Sequence, residues 1–105
     1  MIDKFTAENN DVDGKPAGGN VSGIGIRIDW QNGPLGRDAD RIAPNGAFVE
    51  TVIAAAKQRI EYYNESEFKC RENSMAITKL DEALMWLNKR TADREARQVE
   101  GTHNK

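Results

Sequence analysis

Arg90 and Arg94 stand four residues apart in the stretch from Met85 to Arg94, with Thr91 between them. On a helix that spacing puts both on one face. Two neighbouring guanidinium groups can grip a pyrophosphate through paired, charge-assisted hydrogen bonds, and a threonine hydroxyl adds a further donor. The same pattern also suits a solvated helix face on which Asp93 and Glu95 supply local partners. Tyr63, preceded by Tyr62, can stack on a nucleobase or pack inside a pair of helices. Asn73 carries a side-chain amide, which donates and accepts at once and so can read an adenine edge. Arg37 and Arg41 flank Asp38 and Asp40 in a loop and suit phosphate contact and solubility equally. Taken singly, none of these patterns is specific, and each fits an ordinary solvated or packed side chain as well as contact with a flat, anionic ligand.

The residue types that catalysis needs are sparse. Nucleophilic catalysis requires an activated Ser, Cys or Lys with a base in reach. The single histidine, His103, falls close to the C-terminus, where a solvated position is expected. The single cysteine, Cys70, has no disulfide partner and reads as a small core residue. One cysteine and one histidine make a poor zinc set. No phosphate-binding P-loop is present, and Gly23-Ile24-Gly25 is too short for a dinucleotide fingerprint. The expected protein is therefore not an enzyme and carries no cofactor or metal.

Fifteen basic residues against seventeen acidic ones give a net charge of −2. A protein that coats DNA or RNA would need a basic excess, so a nucleic-acid polymer is not the expected partner. No apolar run approaches the roughly 20 residues of a membrane span, and no basic-then-apolar leader is expected at the N-terminus. With 38% hydrophobic residues over 105 positions, the chain can bury only a modest core. A homo-oligomer that shares apolar surface between copies follows as an expectation.

The elements that must position these groups can be read from the hydrophobic pattern. Residues 1–20, with Asn9-Asn10-Asp11, Gly14-Lys15-Pro16 and Gly18-Gly19-Asn20, read as a flexible tail. A short edge strand between Met1 and Phe5 is the alternative there. Ile24, Ile26, Ile28 and Trp30 alternate with Gly25, Arg27 and Asp29, the period of a half-buried strand running from Val21 to Trp30. Its partner must come from the tail, from Leu35 to Ile42, or from another subunit. Asn32-Gly33-Pro34 marks a turn.

A first helix is predicted over 45–63, with Asn45 as N-cap and an apolar stripe of Phe48, Val52, Ala55, Ala56, Ile60 and Tyr63. Ala54-Ala55-Ala56 offers a smooth patch to another helix. Asn64-Glu65-Ser66-Glu67 resembles a capping box that restarts a second helix over 65–98, with Gly101 as its stop. Ala76, Ile77, Leu80, Ala83, Leu84 and Leu87 form that helix's stripe. The predicted fold class is α+β: a small antiparallel sheet in residues 21–43, then an antiparallel two-helix hairpin that oligomerises through its helices. Residues 21–105 are expected to form a single domain.

The stretch from Cys70 to His103, CRENSMAITKLDEALMWLNKRTADREARQVEGTH, resembles the helical hairpin of the phage Thoeris anti-defence proteins of type one, shared with an anti-CBASS sponge family. WQNGPL (Trp30 to Leu35) and PNGAFVE (Pro44 to Glu50) are similar to that family too, so the resemblance spans residues 22–104. It implies capture, without cleavage, of cyclic ADP-ribose isomers made by TIR-domain immune enzymes, in the cytoplasm of an infected bacterial host. It also implies homo-oligomers, dimers that can assemble to hexamers, and in some members a second site for cyclic di- or trinucleotides. By resemblance the base-stacking aromatic matches Tyr63, where the family carries Phe, a change that keeps a stacking ring. The family's asparagine matches Asn73, its phosphate-binding arginine Arg90, and a loop arginine Arg37, with Arg41 as the alternative.

In a hairpin, Tyr63 and Asn73 would lie near one end. Arg90, seventeen residues beyond Asn73, would lie roughly 25 Å away at 1.5 Å per residue. A single chain therefore cannot easily present both groups to one ligand. An antiparallel second copy can, which predicts a site built across a dimer interface.

Overall fold

The computed structural model describes residues 4–97 together with Thr102 and His103. The chain forms two compact units. One holds the sheet and loops up to Phe48, with Arg97, Thr102 and His103; the other is Val49–Ala96. The α+β architecture expected from the sequence is the one observed: an antiparallel three-stranded sheet followed by two helices.

The sheet runs β1 (Phe5–Val12), β2 (Lys15–Gly23), β3 (Ile26–Trp30), in that spatial order. Residues 4–20 are not a flexible tail, because most of them form the β1–β2 hairpin, paired from Phe5↔Gly23 to Val12↔Lys15. The turn that closes it is Asp13-Gly14, with φ of +54° and +77°. Positive φ at both central residues is the type I′ geometry that matches strand twist, and Asp-Gly is a favoured sequence for it. Backbone pairing holds this hairpin with little apolar burial, since every residue of β1 is exposed. The candidate edge strand at Met1 to Phe5 lies largely outside the described residues; Phe5 opens β1.

Nor is Val21–Trp30 one strand. It folds back at Ile24-Gly25, so that Gly23 pairs with Ile26 and Val21 with Ile28. Ile24 therefore sits at a turn, fully exposed, rather than in line with Ile26 and Ile28. Of the three partners open to the strand, it takes the N-terminal segment.

Residues 45–47 dock beside the end of β3. Ala47 N donates to Asp29 O at 2.8 Å and Gln31 N to Ala47 O at 2.9 Å. Asn45 is not a helix cap: α1 begins only at Val49. Its side chain clasps the backbone of Asn32 instead, accepting from Asn32 N at 2.8 Å and donating to Asn32 O at 3.1 Å. Asn45 N in turn donates to Gln31 Oε1 at 2.8 Å.

In the second unit, α1 spans Val49–Asn64 and α2 spans Arg71–Ala96. Lys57 Nζ meets Asp81 Oδ1 at 2.6 Å, and Asn64 Nδ2 donates to Ser74 Oγ at 3.0 Å. Seven steps forward on α1 are seven steps back on α2, so the pair is an antiparallel hairpin. That register puts Val49 level with Lys89, and α2 runs on past the start of α1. The half-covered positions of α2, among them Ala76, Ile77, Leu80, Ala83, Leu84 and Leu87, are the predicted stripe.

The α1 stripe is rotated in part from its predicted position. Val52 and Ile60 are half-covered as expected, and so are Ile53, Lys57, Glu61 and Asn64 on the side that carries the α2 contacts, whereas Ala55, Ala56 and Tyr63 are exposed. The reason is the polar seam made by Lys57 and Asn64, which turns the helix away from its most apolar face.

The second helix starts six residues later than predicted. Asn64 does not cap a helix at Glu65; its Oδ1 accepts from Cys70 N at 3.2 Å, closing residues 65–70 into a loop. Cys70 then stands at the N-cap of α2, its sulfur accepting from Asn73 N at 3.4 Å, the third helical residue. Cys70 is thus an exposed cap, not a core residue. Position 98, the predicted helix end, and Gly101 lie outside the described residues. No described side chain is fully buried in either unit.

Candidate functional site

The closed end of the hairpin gathers the aromatic and amide groups. Tyr63, on the last turn of α1, is exposed with its ring close to that of Tyr62. The ring centroids are 6.0 Å apart and tilted by 55°. Ser66 Oγ donates to Tyr63 O and accepts from Phe68 N, which folds the loop over the helix end. Phe68 itself is 69% exposed. Asn73, on the first turn of α2, donates from Nδ2 to Phe68 O at 3.3 Å. Its amide therefore helps to shape this loop, while its Oδ1 accepts no hydrogen bond from a described residue.

Arg90, Thr91 and Arg94 lie on the opposite part of the unit, on the stretch of α2 that extends beyond the α1 start. On this continuous helix Asn73 and Arg90 are separated by roughly 25 Å, at 1.5 Å per residue. Arg90 is exposed and pairs with no described carboxylate. Thr91 Oγ1 donates to Leu87 O at 3.3 Å, one turn back along its own helix. Arg94 is half-covered. Asp93 is taken by Lys89 at 3.0 Å. Within the hairpin, then, Tyr63 and Asn73 share one end and the three C-terminal candidates share the other.

Arg37 and Arg41 belong to the sheet unit, where they bracket a single 3-10 turn at Asp38–Asp40. Arg37 is half-covered and Arg41 exposed. The backbone bonds Asp40 N to Arg37 O at 3.0 Å and Arg41 N to Asp38 O at 3.2 Å hold the two arginines at either end of this turn. The same unit has an open pocket of about 290 Å³ near the β1–β2 turn. Asp13, Lys15, Asn32 and His103 help to line it; none of the candidate residues does.

Sequence reasoning passed over Arg59. Its guanidinium carbon lies 4.8 Å from the Tyr63 ring centroid and 5.0 Å from that of Tyr62, and its Nε donates to the Tyr63 hydroxyl at 3.1 Å. The signal was available, since residues three and four apart on a helix are surface neighbours. Among the described residues no three His, Cys, Asp or Glu side chains are grouped to hold a metal ion, and no helix is long and apolar enough to cross a membrane.

By class this is an α+β protein with five of its seven candidate ligand groups, Tyr63, Asn73, Arg90, Thr91 and Arg94, on a two-helix hairpin. The chain belongs to the Acb2/Tad1 hairpin-domain family, whose model matches residues 22–92. Over 78 residues it is 55% identical to a protein of Bacillus phage SBSphiJ7 named Thoeris anti-defense 1. The match covers 74% of this chain and 52% of that protein, so the chain spans about half the length of this relative. The resemblance drawn from the hairpin, the Trp30 turn and the Pro44–Glu50 segment is thereby borne out.

Proposed function

We propose that this chain is a phage anti-defence protein that binds glycocyclic ADP-ribose immune signals and withholds them, uncleaved, from Thoeris effectors in the cytoplasm of the infected host. The observation that carries this reading is the 55% identity to the phage protein named Thoeris anti-defense 1. The placement of the candidate side chains supports it. An ADP-ribose ring presents an adenine face and an anionic pyrophosphate, and a buried pyrophosphate must have its charges paired and hydrogen-bonded. Tyr63 supplies the flat partner, Asn73 the amide, and Arg90 the countercharge, with Thr91, Arg94 and a loop arginine, Arg37 or Arg41, as further donors.

Because Tyr63 and Arg90 stand at opposite parts of one hairpin, the site takes its two halves from two copies in antiparallel register. Several features support such an assembly. The chain has no fully buried side chain among its described residues, Trp86 and Met85 are both 59% exposed, and Ala55, Ala56 and Tyr63 are exposed on a side of α1 other than its seam with α2. Large exposed apolar surface of this kind marks an interaction site.

Calorimetry with a glycocyclic ADP-ribose tests the reading. Tight binding to the unsubstituted chain, loss of it in Arg90→Ala, and recovery of intact ligand by mass spectrometry are expected. A nanomolar constant would correspond to about −12 kcal/mol. Product formation would make the protein an enzyme. Binding restricted to cyclic di- or trinucleotides would make it a sponge for those signals. No nucleotide binding at all would leave a dimerisation module.

A further inference from the structure

We infer that Arg59 is the positioning residue of the Tyr63 ring, and that it favours an anionic purine nucleotide at this end of the hairpin; the inference rests on the ligand reading proposed above. Two contacts to Tyr63 carry it: the hydrogen bond from Arg59 Nε to the phenol oxygen at 3.1 Å, and the guanidinium carbon 4.8 Å from the ring centroid. A third contact, at 5.0 Å to the Tyr62 ring, braces the guanidinium from the neighbouring side. The two rings and the cation form one cluster on an open helix face.

An exposed tyrosine ring samples several rotamers, and a ligand that stacks on it must bear the cost of ordering it. Arg59 removes part of that cost in advance, because the hydrogen bond and the cation–ring contact select one orientation together. Arg59 pairs with no described carboxylate, so its charge remains available to a phosphate that settles near the stacked base. The hydroxyl is essential to this arrangement. Phenylalanine would keep the stacking face and lose the tether, which makes the Arg59–Tyr63 pair a device of this chain's own residues. Lysine in place of Arg59 keeps the charge but has neither the planar face nor the Nε donor.

The test is calorimetric titration of a glycocyclic ADP-ribose into the unsubstituted protein and into Arg59→Gln, Arg59→Lys, Tyr63→Phe and the Arg59→Gln/Tyr63→Phe double variant, with a thermal melt of each. Arg59→Gln and Tyr63→Phe should each weaken binding by about fivefold, and the double variant should bind no more weakly than Arg59→Gln. Arg59→Lys, which keeps the charge and loses the tether, should bind more tightly than Arg59→Gln but more weakly than the unsubstituted protein, and all melting temperatures should stay together. Unchanged affinity in Arg59→Gln, or single losses that multiply in the double variant, would overturn the inference while leaving the sponge reading intact. A melting temperature that falls in step with affinity would reduce Arg59 to a structural residue. If the unsubstituted protein does not bind the probe, the sponge reading fails and this inference fails with it.

Discussion

Lys57 Nζ and Asp81 Oδ1 meet at 2.6 Å across the seam between α1 and α2, where Lys57 is mostly covered and Asp81 about half exposed. With Asn64 and Ser74 this pair defines the register of the hairpin, and so decides which residues of α1 are left on the open face.

The pair makes hairpin stability sensitive to alkali. Its hydrogen bond to Asp81 is the main cause that raises the Lys57 pKa above the ordinary 10.5; desolvation, the next largest effect, pulls against it, and the Asp81 and Glu61 charges add smaller upward pushes. A raised folded-state pKa means stability that is fully present below about pH 10.5 and lost as pH climbs through the higher folded value. Thermal melts between pH 8 and 12 should show this loss, and Lys57→Met should flatten it. An identical alkaline limb in that variant would show that the pair contributes nothing.

Cys70 caps α2 with a weak acceptor. Serine presents an oxygen at the same place, so Cys70→Ser should keep or raise stability, whereas Cys70→Ala removes the cap and should cost about 1 kcal/mol. For a domain of this size that is a fall of about 4–8 °C in melting temperature. Equal melting temperatures for the serine and alanine variants would count against the cap.

The Asn45 clasp should behave as a local lock on the sheet unit. Asn45→Asp replaces the Nδ2 donor, which faces Asn32 O, with a carboxylate oxygen. The expected cost is about 1 kcal/mol. Hydrogen exchange should quicken at Asn32 and Ala47, and amides of α1 and α2 should exchange as before. Uniform acceleration across the chain would contradict a local role.

Mixing two inactive variants tests a shared site directly. If each site takes Tyr63 from one copy and Arg90 from the other, Tyr63→Ala and Arg90→Ala chains mixed in equal amounts and allowed to exchange should regain about a quarter of the sites, because each mixed dimer has one intact site and one doubly defective site. No recovery on exchange, with each variant alone inactive, would place both residues in one copy's site or in none.

Much of this protein is legible along the chain. The α2 stripe, the α+β order and the resemblance carried by Cys70 to His103 all follow from local pattern, because a helix three turns or longer repeats its face many times within one segment. The roughly 25 Å between Asn73 and Arg90 is also a sequence-level result, being nothing more than residue count on one helix.

Other features depend on pairing between distant segments, which composition does not encode. Asp13-Gly14 could close a hairpin only if the polar strands on either side found each other, and backbone hydrogen bonds rather than apolar burial hold them. Asn45 has the side chain of a helix cap but meets Asn32, thirteen residues away, before any helix begins. Asn64 likewise looks like a cap and serves as a bridge to Cys70 and Ser74. The rotation that leaves Tyr63 outside the seam, beside Arg59, arises because Lys57 and Asn64 find polar partners on α2. Periodicity could not choose between the two faces of α1, since both carry apolar residues; only the cross-helix contacts decide which one is covered.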